Sequence, residues 1–229
     1  MTMRVLIAAL CGFVLIAGAA GCSSTDVASA PSESGVAAYR AKDYEKAWAL
    51  LTPLAERGHF RAQRYLAFML IDGAAPIDCD DRKRAQSCGE EAVALLADAA
   101  GRGDNNALIV LETMRAAGAS YAPADDAIIA IELKRARRGD PMTAWRLAKR
   151  YRDGDGVAAS AAAAVKWLAV AAKGKPSLYP YADDASFLLC EAYASGAGVR
   201  RNARTARRWC ERAAAQGHSG AVIALNSLH

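Results

Sequence analysis

The chain reads as all-α, a stack of short antiparallel helix pairs repeated along the sequence. Three observations lead there. Alanine dominates a composition with only 7 prolines, which favours helix. A glycine that ends a helical stretch recurs in similar company. A second, longer pattern follows each of those glycines at helical spacing, and such internal periodicity outranks any single-residue signal.

The first alignment superposes Leu54-Ala55-Glu56-Arg57-Gly58, Ala99-Ala100-Gly101-Arg102-Gly103, Arg135-Ala136-Arg137-Arg138-Gly139 and Ala213-Ala214-Ala215-Gln216-Gly217. Ala171-Ala172-Lys173-Gly174 matches with one residue missing. The residue after the glycine is His59, Asp104, Asp140, Lys175 or His218. The second pattern runs small-x-x-x-Leu-small-x-x-large-x-x-Gly. Unit one gives Ala62, Leu66, Ala67, Leu70 and Gly73. Unit two gives Ala107, Leu111, Glu112, Arg115 and Gly118, the poorest copy. Unit three gives Thr143, Leu147, Ala148, Tyr151 and Gly154. Unit four gives Ala185, Leu189, Cys190, Tyr193 and Gly196, and Ala221 with Leu225 begins a truncated fifth.

Offsets of 0, 4 and 8 fall on one helix face. The small residue at offset 5 admits a close neighbour, and the glycine at offset 11 signals a helix C-terminus. Each unit is then helix A, turn, helix B, turn. Units three and four show this best: Gly154-Asp155-Gly156-Val157 leads to Trp167, and Gly196-Ala197-Gly198-Val199 leads to Trp209, with glycines and tryptophans 42 residues apart. One such pair cannot bury both faces, so neighbours share a continuous core. The core residues predicted by the register are Leu66, Leu70, Leu111, Leu147, Tyr151, Trp167, Leu189, Tyr193 and Trp209.

The pattern A-x-x-x-L-x-x-x-Y-x-x-G-x-G-V, followed by x-W-x-x-x-A-A-x-x-G, resembles the SEL-one-like repeat, a relative of the tetratricopeptide repeat. Tyr39 to Ala47, with Asp43-Tyr44 and Ala47, resembles the tetratricopeptide turn and the start of its helix B. The resemblance spans residues 36–229. It implies a right-handed α-solenoid of about four to five repeats and a protein-binding role.

The N-terminus carries an address. Arg4 precedes residues 5–20, VLIAALCGFVLIAGAA, which hold no charge. Sixteen residues are short of the roughly 20 of a membrane span and suit a signal-peptide core. Ala19-Ala20-Gly21-Cys22 resembles the bacterial lipobox, with Ala19 where that pattern prefers a branched aliphatic residue. This implies a signal peptide over residues 1–21 and a diacylglyceryl group on Cys22, a two-chain membrane anchor. Ser23 resembles the outer-membrane sorting pattern. Residues 22–35, rich in Ser, Ala and Pro beyond the cysteine, read as a lipidated flexible tether. The expected location is the periplasmic side of a bacterial outer membrane.

The formal charge of +5, or +4 without Arg4, is not a nucleic-acid signature, and export argues against nucleic acid as a partner. Cys11 lies in the signal, which leaves four cysteines beside Cys22. In an oxidising compartment these suggest two disulfides, with three formal pairings. Cys190 and Cys210 each lie about two turns from the loop joining their helices, and a bridge there would resemble those of cysteine-rich family members. Cys79 and Cys88 bracket a long A–B loop in unit one. The expected pairs are Cys79–Cys88 and Cys190–Cys210.

No catalytic constellation emerges. His59 and His218 share one repeat slot, and His229 is the last residue. No zinc spacing is present. Asp78, Asp80 and Asp81 run straight into Arg82, Lys83 and Arg84, unlike a calcium loop. The Gly-x-Gly turns follow helices rather than strands, so the phosphate-loop context is missing. No catalytic residue, metal, cofactor or small-molecule substrate is expected.

By analogy with tetratricopeptide arrays, helix A lines the concave face, with offsets 2 and 6 in the groove. These are Arg64 and Phe68, Ile109 and Thr113, Trp145 and Lys149, and Phe187 and Glu191. The row mixes large apolar groups with charges, as binding hot spots do. A second candidate surface is basic: Arg200, Arg201, Arg204, Arg207, Arg208 and Arg212, with Arg200, Arg204 and Arg208 at helical spacing, suited to an anionic polymer or lipid headgroups. The leading functional expectation is a scaffold for an envelope complex of secretion or polysaccharide-export type. An immunity-type inhibitor of a periplasmic toxin enzyme and an envelope hydrolase are the alternatives.

Overall fold

The computed structural model describes residues 26–79, 81–175 and 177–227. Among them are eleven helices and no strand, arranged as an α-solenoid. The signal segment, the lipobox with Cys22, and His229 lie outside the described residues.

The helices alternate in role. The A helices are α1 (Asp26–Arg40), α3 (Phe60–Ile71), α5 (Asn105–Ala116), α7 (Pro141–Asp153), α9 (Ala182–Ser195) and α11 (Ser219–Ser227). The B helices are α2 (Tyr44–Glu56), α4 (Arg82–Gly101), α6 (Asp125–Arg137), α8 (Ala161–Ala171) and α10 (Ala203–Ala215). Each A helix pairs with the B helix that follows. The closest pairs are α1/α2, α3/α4, α7/α8 and α9/α10, while α5 and α6 touch least. One pair, α1/α2, therefore precedes unit one.

The residue after four of the five repeat glycines is a helix N-cap. Asp104 and Asp140 accept backbone N–H groups of the following helix through Oδ1. His59 and His218 do the same through Nδ1, for Ala62 and Ala221. The polar residue satisfies a donor that the helix itself cannot. Lys175 does not fit, because residues 175–181 are inserted before α9, whose N-cap is Tyr181. Pro141 opens α7 at the position where its missing N–H costs nothing.

Two glycines are required by geometry. Gly196 ends α9 in the left-handed region at φ 87°, where a Cβ is disfavoured. Gly198, at φ 73°, packs on the first turn of α8. A Cβ there would stand 2.4 Å from the Ala161 carbonyl carbon. This contact seats the turn of one repeat against the previous repeat's B helix.

The core lies in four clusters set end to end, in α1–α3, α3–α6, α6–α9 and α9–α11. Leu66, Leu70, Leu111, Leu147, Trp167 and Leu189 are buried. Tyr151, Tyr193 and Trp209 are only half-buried, packed against the core edge. Their polar or bulky ends reach the surface, as expected for amphipathic rings.

The segment expected as a tether is shorter than its composition suggested. α1 starts at Asp26, and Ser32 and Val36 are buried. Gly35 admits Leu51 so closely that a Cβ would stand 2.6 Å from it. Small residues here permit helix packing rather than preventing structure. The loop expected between Cys79 and Cys88 also shortens: Asp81 caps α4 by accepting from Arg84 N, so Cys88 sits buried in that helix. The Cys79–Cys88 bridge ties the incoming loop to α4, and Cys190–Cys210 crosses the α9/α10 hairpin. No described helix is long and apolar enough to cross a membrane.

Candidate partner-binding groove

Helix α7 carries the site. It turns Thr143, Ala144, Leu147, Ala148 and Arg150 inward. Trp145 is left half-buried and Lys149 exposed, on the side facing its A-helix neighbours. Two cavities open along it, and Trp145 and Lys149 line both.

The larger cavity, of about 460 Å³, lies toward α5 and is walled by charge. Glu132 of α6 is fully buried beneath it. Arg150 donates from Nε to Glu132 Oε2 at 2.7 Å, from Nη2 to Glu112 Oε1 at 2.9 Å, and from Nη1 to Asp155 Oδ2 at 3.0 Å. Arg146 donates from Nε to Glu132 Oε1 at 3.1 Å and pairs with Glu112 through Nη2. Arg115 extends the network to Asp125, 3.0 Å away. Burial pushes the Glu132 carboxyl above its ordinary range, against the pull of Arg150. Burial and the neighbouring Arg150 charge pull the Arg146 guanidinium down.

This network explains the poor second copy of the repeat. Glu112 stands where other copies place a small residue, and Arg115 where they place a large apolar one. Both are spent on pairing α5 with α7, α6 and the Asp155 turn. A charged residue at a register position that is otherwise small or apolar was the available signal. Glu132, inside the apolar run of helix B, was a second.

The smaller cavity, of about 200 Å³, is a slot between α7, α8 and α9. Ala148, Ala161, Ala164 and Ala192 give it depth. Val165, Leu168 and Leu188 supply apolar walls. Lys149 stands on the α7 rim and Glu191 on the α9 rim. Neither side chain forms an ion pair or hydrogen bond among the described residues. Arg152, also at the rim, is held by Asp153 at 2.8 Å.

The structure divides the row of residues at offsets 2 and 6. Trp145, Lys149 and Glu191 line the cavities. At offset 2 the side chain reaches the N-cap of the next A helix. Arg64 donates to Asp104 at 2.8 Å, Trp145 stacks on Tyr181 with centroids 5.5 Å apart, and Phe187 stacks on His218 at 4.2 Å. Arg64 and Phe187 are thus repeat-to-repeat ties, not open groove positions. Phe68 is half-buried under the Arg64 guanidinium. Ile109 and Thr113 are exposed and line neither cavity. Ile109 has no donor to offer Asp140, its counterpart cap, which accepts from Arg135 at 2.8 Å instead.

The basic surface is also divided. Arg200 precedes α10, so the helical spacing within that helix is carried by Arg204, Arg208 and Arg212. Arg201 donates to the Ala194 carbonyl, and Arg212 reaches the Ala172 carbonyl of the previous repeat and covers Trp209. Asp78 and Asp81 both pair with Arg84.

The Sel1 repeat family model matches residues 35–59, 141–175 and 183–218. The unmatched middle, α3 to α6, contains the charged second copy. No curated protein matches in sequence. Among solved structures, the chain is similar to c5321, a protective antigen present in uropathogenic Escherichia coli strains and displaying an SLR fold. The TM-score is 0.58 at 23% identity, over 88% of this chain and 41% of that one. The chain therefore spans about two fifths of that protein's length, and the likeness is one of fold. A Sel1 repeat protein from Oxalobacter formigenes matches at 30% identity over 54% of this chain and 90% of that one, with a TM-score of 0.43. The matched repeats, the stacked helix pairs and the glycine–leucine–tyrosine register together place this chain in the Sel1 repeat family.

Proposed function

We propose that this protein-interaction scaffold is exported and lipid-anchored through Cys22, on the periplasmic side of a bacterial outer membrane. There it uses the groove along α7 to hold a segment of another envelope protein and so to assemble or stabilise an envelope complex, of secretion or polysaccharide-export type. The observation that carries the binding role is the pair of cavities sharing Trp145 and Lys149 on the A-helix face. A rigid helical wall with an aromatic group, unpaired charges and an apolar slot is the make-up of a peptide-binding groove. Export is supported by the uncharged stretch before Cys22 and by two disulfides, which persist in oxidising compartments.

The test has two arms. Fractionation of cells producing the wild type should place the chain in the outer membrane, and Cys22→Ser should release it to the soluble periplasmic fraction. A chain found in the cytoplasm with reduced thiols would overturn export. Affinity capture from the native envelope should recover one dominant protein with the wild type and lose it with Trp145→Ala/Lys149→Glu, at unchanged helicity. Equal capture by both forms would overturn the groove assignment.

A further inference from the structure

We infer that the slot between α7, α8 and α9 takes one apolar side chain of an extended peptide whose flanking residues carry opposite charges, the acidic one on Lys149 and the basic one on Glu191. This rests on the groove reading above and names the chemistry of the segment it holds. Three observations lead to it. The slot's 200 Å³ is below the roughly 300–1,000 Å³ of small-molecule sites, so it suits a single side chain. Its lining is alanine, valine and leucine at the bottom, with polar groups only at the rim. The two rim charges, on neighbouring A helices and equivalent by the 42-residue repeat, form no hydrogen bond or ion pair among the described residues, and the one carboxylate whose charge Lys149 feels, Asp153, is itself held by Arg152.

The other charges nearby are engaged. Arg152 is neutralised by Asp153. Arg146 and Arg150 are held by Glu112, Glu132 and Asp155. The field at the slot mouth is therefore set by one cation and one anion on opposite sides. A uniformly acidic or basic peptide meets one rim favourably and the other unfavourably. A segment with an acidic residue on one side of the apolar anchor and a basic residue on the other satisfies both, and the pair of rims fixes its direction across α7.

The full mature chain would be titrated with end-blocked peptides and followed by the NMR signal of the Trp145 indole, assigned with Trp145→Phe. The probes are Gly-Asp-Leu-Lys-Gly, its charge-reversed order Gly-Lys-Leu-Asp-Gly, Gly-Asp-Leu-Asp-Gly and Gly-Lys-Leu-Lys-Gly. The better of the two mixed peptides should bind tightest, by up to about five-fold for each mismatched rim charge. Lys149→Glu should shift the preference to the doubly basic peptide, and Glu191→Lys to the doubly acidic one. The double reversal should restore the mixed preference. Ala161→Leu, at an exposed position lining the slot, should weaken every peptide at least about ten-fold, and Ala197→Leu offers a second obstruction. Equal binding of all four peptides, no binding of any, or indifference to both obstructions would overturn the assignment. If envelope capture is still lost in Trp145→Ala/Lys149→Glu while the peptides ignore the slot, the scaffold role stands and the slot chemistry falls. If both fail, the groove reading falls with it.

Discussion

Glu132 shows what a single residue can settle here. It is fully buried, and two arginines from the next helix converge on it. Taking charges out of water costs several kcal/mol each and is offset only by good geometry. Arg150→Met would leave Glu132 and Glu112 sharing Arg146 alone. Its expected cost is about 3–5 kcal/mol in urea unfolding, the range for breaking a buried pair. The pH dependence has a defined sign. Because burial raises the Glu132 carboxyl, the folded state holds its proton more firmly than the unfolded chain. That contribution is fully present below the ordinary carboxylate range and is lost as pH rises through the raised value. The stability of the wild type relative to Glu132→Gln should therefore fall between acid and neutral pH. A difference that grows with pH would mean that Arg150 outweighs burial. The sequence signalled this network only by charge at positions otherwise small or apolar; which residues pair was not legible, because the arginine pairs to Glu132 and Glu112 span 14 to 38 positions and leave no local periodicity.

At the level of elements, helices, caps and turns were readable because each has a local cause. The glycine register marked helix ends, and the polar residue after it proved to be the N-cap. The limits of local reading are equally physical. Ser- and Ala-rich residues 26–35 look like tether until Leu51 is seen packed on Gly35. Whether a side chain at offset 2 enters the groove depends on the cap residue of the next helix, which lies 31 to 40 residues away in Arg64–Asp104, Trp145–Tyr181 and Phe187–His218. The α9/α10 hairpin makes an element-scale prediction. Cys190 and Cys210 are both buried and close a loop of 20 residues. The chain-entropy model gives roughly 3 kcal/mol for that closure. Cys190→Ala/Cys210→Ala should lower Tm by about 6–12 °C at ~2–4 °C per kcal/mol. The shorter 9-residue Cys79–Cys88 loop should matter less by the same logic. A larger loss from the shorter loop would point to native packing, not loop closure, as the source of the effect. The repeat equivalents of the bridged cysteines are Ala148 and Leu168, which line the slot, so one level of the repeat serves as a covalent staple in one unit and as a binding wall in the other.

At the scale of the whole molecule, the side-chain ties between helices join neighbouring repeats. Gln63 bonds Asp98, Arg135 reaches the Ala100 carbonyl and Asn105, Arg150 reaches Glu112, and Arg212 reaches the Ala172 carbonyl. Stability in such an array is a sum over units and their nearest-neighbour interfaces, so damage should spread to adjacent units and fade beyond them. The weak point is the middle. α5 and α6 pack least closely of the A/B helix pairs, and while α6 meets α7 through Ile129, Ala136 and Leu147, what joins α5 to α7 is the charge network. Amide exchange should accordingly be faster in α5 and α6 than in α7 and α8, since low local contact density lowers the free energy of opening. Arg150→Met should accelerate exchange in α5, α6 and α7 while leaving α1 and α2 near their wild-type rates. Uniform acceleration from α1 to α10 would mean that the chain opens as one cooperative body. In that case the α7 groove could not yield to a partner locally, and its two cavities would have to accept a binding segment in the shape they already have.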